Sequence, residues 1–88
     1  MTTTDSSSSS TSPTELERNA ARDVLGWSGS NGGWATGGFT VKLLDALASA
    51  DEHNRALLEA VFPELVGAFR LFSGDENGID ILIARSAA

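Results

Sequence analysis

The sequence predicts an all-α fold, a small bundle of about four helices with a Gly/Trp-rich loop and a disordered N-terminal tail. Three observations carry that expectation. Apolar residues recur at intervals of three and four from Leu16 to Trp27, and again from Val41 to Phe72, which is the period of one helix face. Helix-starting and helix-stopping residues bracket both stretches. The chain has 88 residues, 41% of them hydrophobic, with four Phe, two Trp and no Cys, enough for one core and no more. An α+β arrangement, with a short hairpin or a C-terminal strand, is the alternative fold class.

Residues 1–11 read MTTTDSSSSST. They hold nothing to bury, so ordering them costs backbone entropy with no compensating contact. A solubilising tether is expected there, with phosphorylation as the alternative role, and a single helical domain over residues 12–88. At its start, Ser12 can cap, Pro13 suits the first helical position and Glu15 stands where a capping-box carboxylate belongs. Leu16, Ala20, Val24 and Trp27 then form one apolar stripe, widened by Ala21 and Leu25. With Gly26 as the stop, the first helix is predicted over residues 13–25.

The segment 26–38, GWSGSNGGWATGG, holds six of the nine glycines and both tryptophans. Glycine permits tight backbone paths, and tryptophan is a large side chain that needs cover. The expectation is a loop that folds Trp27 and Trp34 back over the core. A hairpin at Asn31-Gly32 and a ligand-binding loop are the other readings. Thr40 can cap a second helix with Val41, Leu44, Leu47 and Ala48 on one face and Leu43 beside them. Asp51 offers the next N-cap. The third helix sets Leu57, Leu58 and Val61 apart from Glu52, Arg55 and Glu59.

Pro63 must kink or break that helix, because it lacks the ladder N–H and clashes with the preceding turn. Leu58, Phe62, Leu65, Phe69 and Phe72 nevertheless keep their spacing across it. Both halves are therefore expected to serve one core, and an intermolecular coiled-coil seam is the alternative use of the same spacing. Ser73-Gly74 ends the segment. Residues 79–85 alternate Ile79, Ile81 and Ile83 as a strand would, yet Ile79, Leu82 and Ile83 also fit a helix face. A short helix is favoured.

Composition excludes several functions. Twelve acidic and six basic side chains give a net charge of −6, which disfavours direct binding to nucleic acid or to anionic lipid. The acids are spread along the whole chain. Met1 is followed by neither a basic region nor an apolar run, no stretch is long enough to span a membrane, and cysteine is absent. A cytoplasmic protein is expected.

No motif for chemistry emerges. His53 lies in Asp51-Glu52-His53-Asn54, and consecutive helical residues diverge by about 100° rather than converge on a metal or substrate. The acidic stretch after Ser73 lacks the glycine and glutamate that a calcium loop needs at its sixth and twelfth positions. The glycine-rich segment has neither G-x-G-x-x-G nor a glycine followed by Lys-Ser or Lys-Thr. The serines have no evident base to activate them. No catalytic residue, no metal site and no cofactor is expected.

Within residues 39–72, the run Ala50-Asp51, Asn54-Arg55, Leu58, Phe62-Pro63-Glu64, Val66 and Ala68 resembles small uncharacterised helical proteins of actinobacteria and their phages. That resemblance covers fewer than half the residues and its motif is structural. It implies a setting in which small genes often encode binders of host proteins, and it implies no activity. The functional expectation is a non-enzymatic protein–protein interaction domain, a phage-type binder or inhibitor of a host protein. Its partner protein is unknown, self-association is left open, and Trp27, Trp34, Phe69 and Phe72 are the candidate interaction surface. The alternatives are an acidic nucleic-acid mimic that occupies a DNA-binding protein, using acids such as Glu59, Glu64, Asp75, Glu76 and Asp80, and, last, a small enzyme or metal protein.

Overall fold

In a computed structural model, which describes residues 12–88, the first helix starts from a capping box two residues later than the sequence suggests. The tail expected over residues 1–11 lies outside the described residues. Thr14 Oγ1 accepts from the Glu17 N–H at 3.1 Å, and Glu17 Oε1 accepts from the Thr14 N–H at 2.8 Å. Ser12 and Glu15 share the same spacing, so the motif permits both registers. The one adopted leaves Pro13 outside the helix, with its carbonyl accepting from Arg18 Nη1 at 3.1 Å. Helix α1 then runs Glu15–Ser28.

Gly26 does not stop α1. The stop is Gly29, in the left-handed region at φ 76°, where a side chain would be strained. The Gly29 N–H reaches the Gly26 carbonyl and the Ser30 N–H reaches the Leu25 carbonyl, the paired bonds of a Schellman close. Gly26 is needed instead for close packing. A side chain there would overlap the Trp34 carbonyl, and one on Gly33 would overlap the backbone of Leu25 and Gly26. The glycine-rich segment thus lies backbone to backbone on the last turns of α1, and Trp27 belongs to the helix rather than to the loop.

Four further helices follow: α2 Gly38–Ser49, α3 Glu52–Val61, α4 Pro63–Gly74 and α5 Gly78–Ala87. Helix α2 begins at a Gly37 N-cap without a side-chain bond, ahead of the expected Thr40, so Phe39 falls in its first turn. Asp51 caps α3 as expected, its Oδ1 accepting from the Asn54 N–H at 2.8 Å. Pro63 breaks the chain of helices, which makes five helices among the described residues rather than about four. Phe62, at φ −126° and ψ 63°, closes α3 and opens α4. A residue before proline is pushed out of the helical region, and proline itself suits the first helical position. Among the described residues there is no strand and no hairpin; residues 79–85, read as either strand or helix, lie in α5.

The core gathers Ala20, Ala21, Val24 and Leu25 of α1, Leu44 and Leu47 of α2, Val66, Ala68 and Phe69 of α4, and Leu82 of α5. Of the stripe across Pro63, Phe69 is buried, while Leu58, Phe62, Leu65 and Phe72 pack half-buried against that core. Helix α1 packs on α5, α4 and α2, whereas α3 packs chiefly on α4 and contributes no buried residue. In α5 the buried line is Gly78, Leu82 and Ser86, spaced by four, and Ile79 and Ile81 face outwards. A side chain on Gly78 would overlap the Leu71 carbonyl. Arg22 of α1 fixes the other end of α5, donating from Nε and Nη2 to the Ser86 carbonyl at 3.2 and 2.8 Å.

Two substitutions test these local causes in a denaturant titration. Thr14→Ala is expected to cost about 1 kcal/mol and Ser12→Ala nothing measurable; the reverse result would return the cap to Ser12. Gly78→Ala is expected to destabilise by about 1–3 kcal/mol through overpacking against α4, despite alanine's better helix propensity. A stabilised variant would show that α4 and α5 do not meet there.

Candidate interaction surface

The structure brings together three of the four aromatic residues singled out from the sequence. Trp27 of α1 stacks at a tilt on Phe69, with ring centroids 6.0 Å apart, and edge-on to Phe72 at 5.8 Å. Its Nε1 donates to Asp45 Oδ1 of α2 at 2.9 Å. Phe69 is only 3% exposed and lies in the core, and Trp27 and Phe72 are half-buried against it. Trp34 is apart from this cluster: 43% exposed, it donates from Nε1 to Asp23 Oδ1 at 2.7 Å, and the Arg22 guanidinium lies over its ring at 5.3 Å. With Phe69 enclosed and Trp34 elsewhere, these four residues do not make one exposed surface.

A different set of apolar side chains does converge at the surface. Leu16 lies in the first turn of α1, Phe39 in the first turn of α2, and Val61 in the last turn of α3 before the Pro63 break. They are 62%, 68% and 68% exposed. All three line one groove of about 230 Å³, with Ala20, Leu43, Phe62 and Leu65 set more deeply in it. Phe39 and Phe62 meet at a tilt across it, centroids 6.2 Å apart. The groove forms because three helix ends meet there. Apolar residues at a helix end cannot all turn inward when the next helix leaves at an angle, and the cap at Gly37 and the break at Pro63 set those angles.

Asn19, Asp23, Thr40 and Glu64 supply the polar lining. Among the described residues, no basic side chain lines the groove. Most of the arginines are directed to the chain's own acceptors. Arg18 donates to the Pro13 carbonyl, Arg22 to the Ser86 carbonyl, and Arg55 Nε to the Leu47 carbonyl. Arg70 grips both Glu52 carboxylate oxygens at 3.0 and 2.7 Å and Glu59 at 3.2 Å. That bond to Arg70 holds the Glu52 carboxyl below the usual carboxylate range, against a smaller opposing effect of desolvation. A depressed carboxyl is fully ionised at neutral pH, so this link between α3 and α4 weakens only as pH falls through the lowered value.

The residues weighed for other chemistry occupy ordinary positions. His53 is exposed at the start of α3. Asp75 Oδ1 accepts from the Asn77 N–H at 2.8 Å, a turn contact. Ser28 and Ser30 share a hydrogen bond at 2.9 Å, and Ser28 also donates to the Leu25 carbonyl. Among the described residues, no three His, Cys, Asp or Glu side chains are placed to hold a metal, and no helix is long and apolar enough to cross a membrane.

Sequence reasoning missed the groove because it assigned Leu16 to the stripe of α1 and Val61 to the apolar face of α3, and placed Phe39 ahead of α2. The one signal available was the proline itself, since a break next to Val61-Phe62 must leave part of that apolar run uncovered. No protein-family model, no curated protein and no solved structure matches the chain.

Proposed function

We propose that this chain is a non-enzymatic protein-interaction domain that docks a partner protein in the groove of Leu16, Phe39 and Val61. One observation carries the reading: three large apolar side chains, each more than three-fifths exposed, converge on a single groove at three helix ends. Single exposed apolar residues are ordinary, but a contiguous set bordered by polar residues marks a contact site. At about 230 Å³ the groove falls below the roughly 300–1,000 Å³ typical of cofactor and small-molecule sites. Covering the three side chains fully would stabilise a complex by roughly 1–2 kcal/mol each. The proposed partner is a host protein, as the resemblance of the run from Ala50 to Ala68 to small actinobacterial and phage proteins would imply.

The acidic-mimic alternative has less support. Of the acids it would gather, Glu59 is engaged by Arg70, as is the neighbouring Glu52, so part of the negative charge on α3 is neutralised within the chain.

The test compares capture of proteins from the native host by the parent chain and by Leu16→Ser, Phe39→Ser and Val61→Ser. Each variant is expected to stay within about 0.5–1 kcal/mol of parental stability, because the residues are mostly exposed, and to lose the captured protein. Equal capture by all three folded variants would remove the groove as the contact site.

A further inference from the structure

We infer that Asn31 is a site of spontaneous deamidation through attack by the Gly32 main-chain nitrogen, and that the fold shields the identical pair Asn77-Gly78 from the same reaction. The sequence holds four asparagines, and two of them, Asn31 and Asn77, precede glycine. Glycine favours this chemistry because no Cβ stands beside the attacking nitrogen. Residue order alone ranks the two pairs equally. The structure separates them, and it does so independently of the docking reading.

The reaction needs only water besides the chain itself. The Gly32 nitrogen bonds to Asn31 Cγ and gives up its proton, the bond from Cγ to the amide nitrogen breaks, and ammonia leaves carrying that proton. Water then opens the five-membered imide at either carbonyl. Opening at the side-chain carbonyl leaves aspartate. Opening at the main-chain carbonyl leaves isoaspartate, with an extra methylene in the backbone. Either product adds a negative charge at neutral pH.

Asn31 and Gly32 form an exposed turn. Ser30 before them is tied by its N–H to the Leu25 carbonyl, and Trp34 beyond them by its N–H to the Arg22 carbonyl. Between those anchors, among the described residues, no backbone group of residues 31–33 pairs with another. The Gly32 nitrogen therefore gives up no backbone partner when it reacts. Gly32 lies at φ 89°, outside any helix, so ring closure breaks no helical ladder. Gly33 next to it rests on the backbone of Leu25 and Gly26, and the methylene of isoaspartate displaces that contact.

Asn77-Gly78 is held differently. Asn77 is the N-cap of α5, at φ −100° and ψ 12°, and Gly78 is the first residue of that helix. The Gly78 N–H donates to the Asp75 carbonyl at 2.9 Å. Gly78 is buried, with the Leu71 carbonyl where a Cβ would stand. Ring closure has to swing the Gly78 nitrogen towards Asn77 Cβ, which breaks that hydrogen bond and pulls the first turn of α5 off α4. A buried, bonded amide of this kind reacts only through local opening. Asn19 and Asn54 lie inside α1 and α3 and precede Ala20 and Arg55, not glycine.

The test incubates the full, folded chain at neutral pH and physiological temperature, cleaves it after Arg and Lys, and reads each fragment by mass spectrometry. Asn31 is the sole asparagine of fragment 23–42, and Asn77 of fragment 71–85. Synthetic peptides of the same two spans serve as unfolded references. In the folded chain, Asn31 is expected to convert at least about tenfold faster than Asn77, and Asn77 at least about tenfold slower than in its own peptide. The converted 23–42 fragment is expected as two separable isomers, one aspartate and one isoaspartate. Equal rates at the two sites, faster conversion at Asn77 or no conversion at Asn31 would each overturn the inference. Aspartate as the sole product would mean direct hydrolysis of the side-chain amide, which removes Gly32 from the reaction and overturns it as well.

Discussion

Ala20, Ala21, Val24 and Leu25 form a short stretch of α1 withdrawn from water, and α2, α4 and α5 are all packed against that helix. The constraint follows from length. Helices α2 to α5 run only 10 or 12 residues, and isolated helices below roughly 12–15 residues are marginal in water. They persist because α1 offers an apolar surface to α2, α4 and α5, and α4 offers one to α3. Two alanines on its inner face let neighbouring helices approach closely, and Val24 and Leu25 fill the space between them. The bundle is thus organised around one helix rather than by pairwise symmetry.

Hydrogen bonds from α1 complete what packing begins. The guanidinium of Arg22 forks onto the Ser86 carbonyl, so a cation meets the negative end of the α5 dipole. It also underlies Trp34, whose backbone rests on Gly26. Trp27 spans the other side, joining Asp45 of α2 to the rings of α4.

Much of the fold was legible in residue order. The spacing from Ala20 to Leu25, the Asp51 cap and the apolar stripe across Pro63 all announce helices that share a core, because each rests on local stereochemistry or on the 3.6-residue period. Boundaries were less legible where the sequence offers two equivalent signals, as with Ser12 and Thr14, or where a glycine serves packing rather than termination, as Gly26 does. The last helix was ambiguous because Ile79, Ile81 and Ile83 alternate, while the residues that decide its burial, Gly78, Leu82 and Ser86, include two small ones that periodicity overlooks. The groove was illegible for a deeper reason. Leu16 and Val61 fit core faces by spacing, and only the angles between helices decide which apolar side chains are left outside. Aromatic residues suit cores and contact surfaces equally, so composition alone pointed to Phe69, which is enclosed.

Helix α3 differs from its neighbours in how it is attached. It contributes no fully buried side chain, and its ties include the half-buried Leu58, the Arg55 bond to the Leu47 carbonyl, the Arg55 guanidinium over the Phe69 ring at 5.3 Å and the Arg70 pairs with Glu52 and Glu59. Exposed ion pairs hold weakly, so α3 is attached less firmly than the helices that share the core. Opening α3 alone would expose no fully buried side chain, whereas opening the middle of α1 would expose Ala20, Ala21, Val24 and Leu25. Val61 stands on α3 and Leu16 on α1. The groove is accordingly shared between a helix that gives the core four residues and a helix that gives it none.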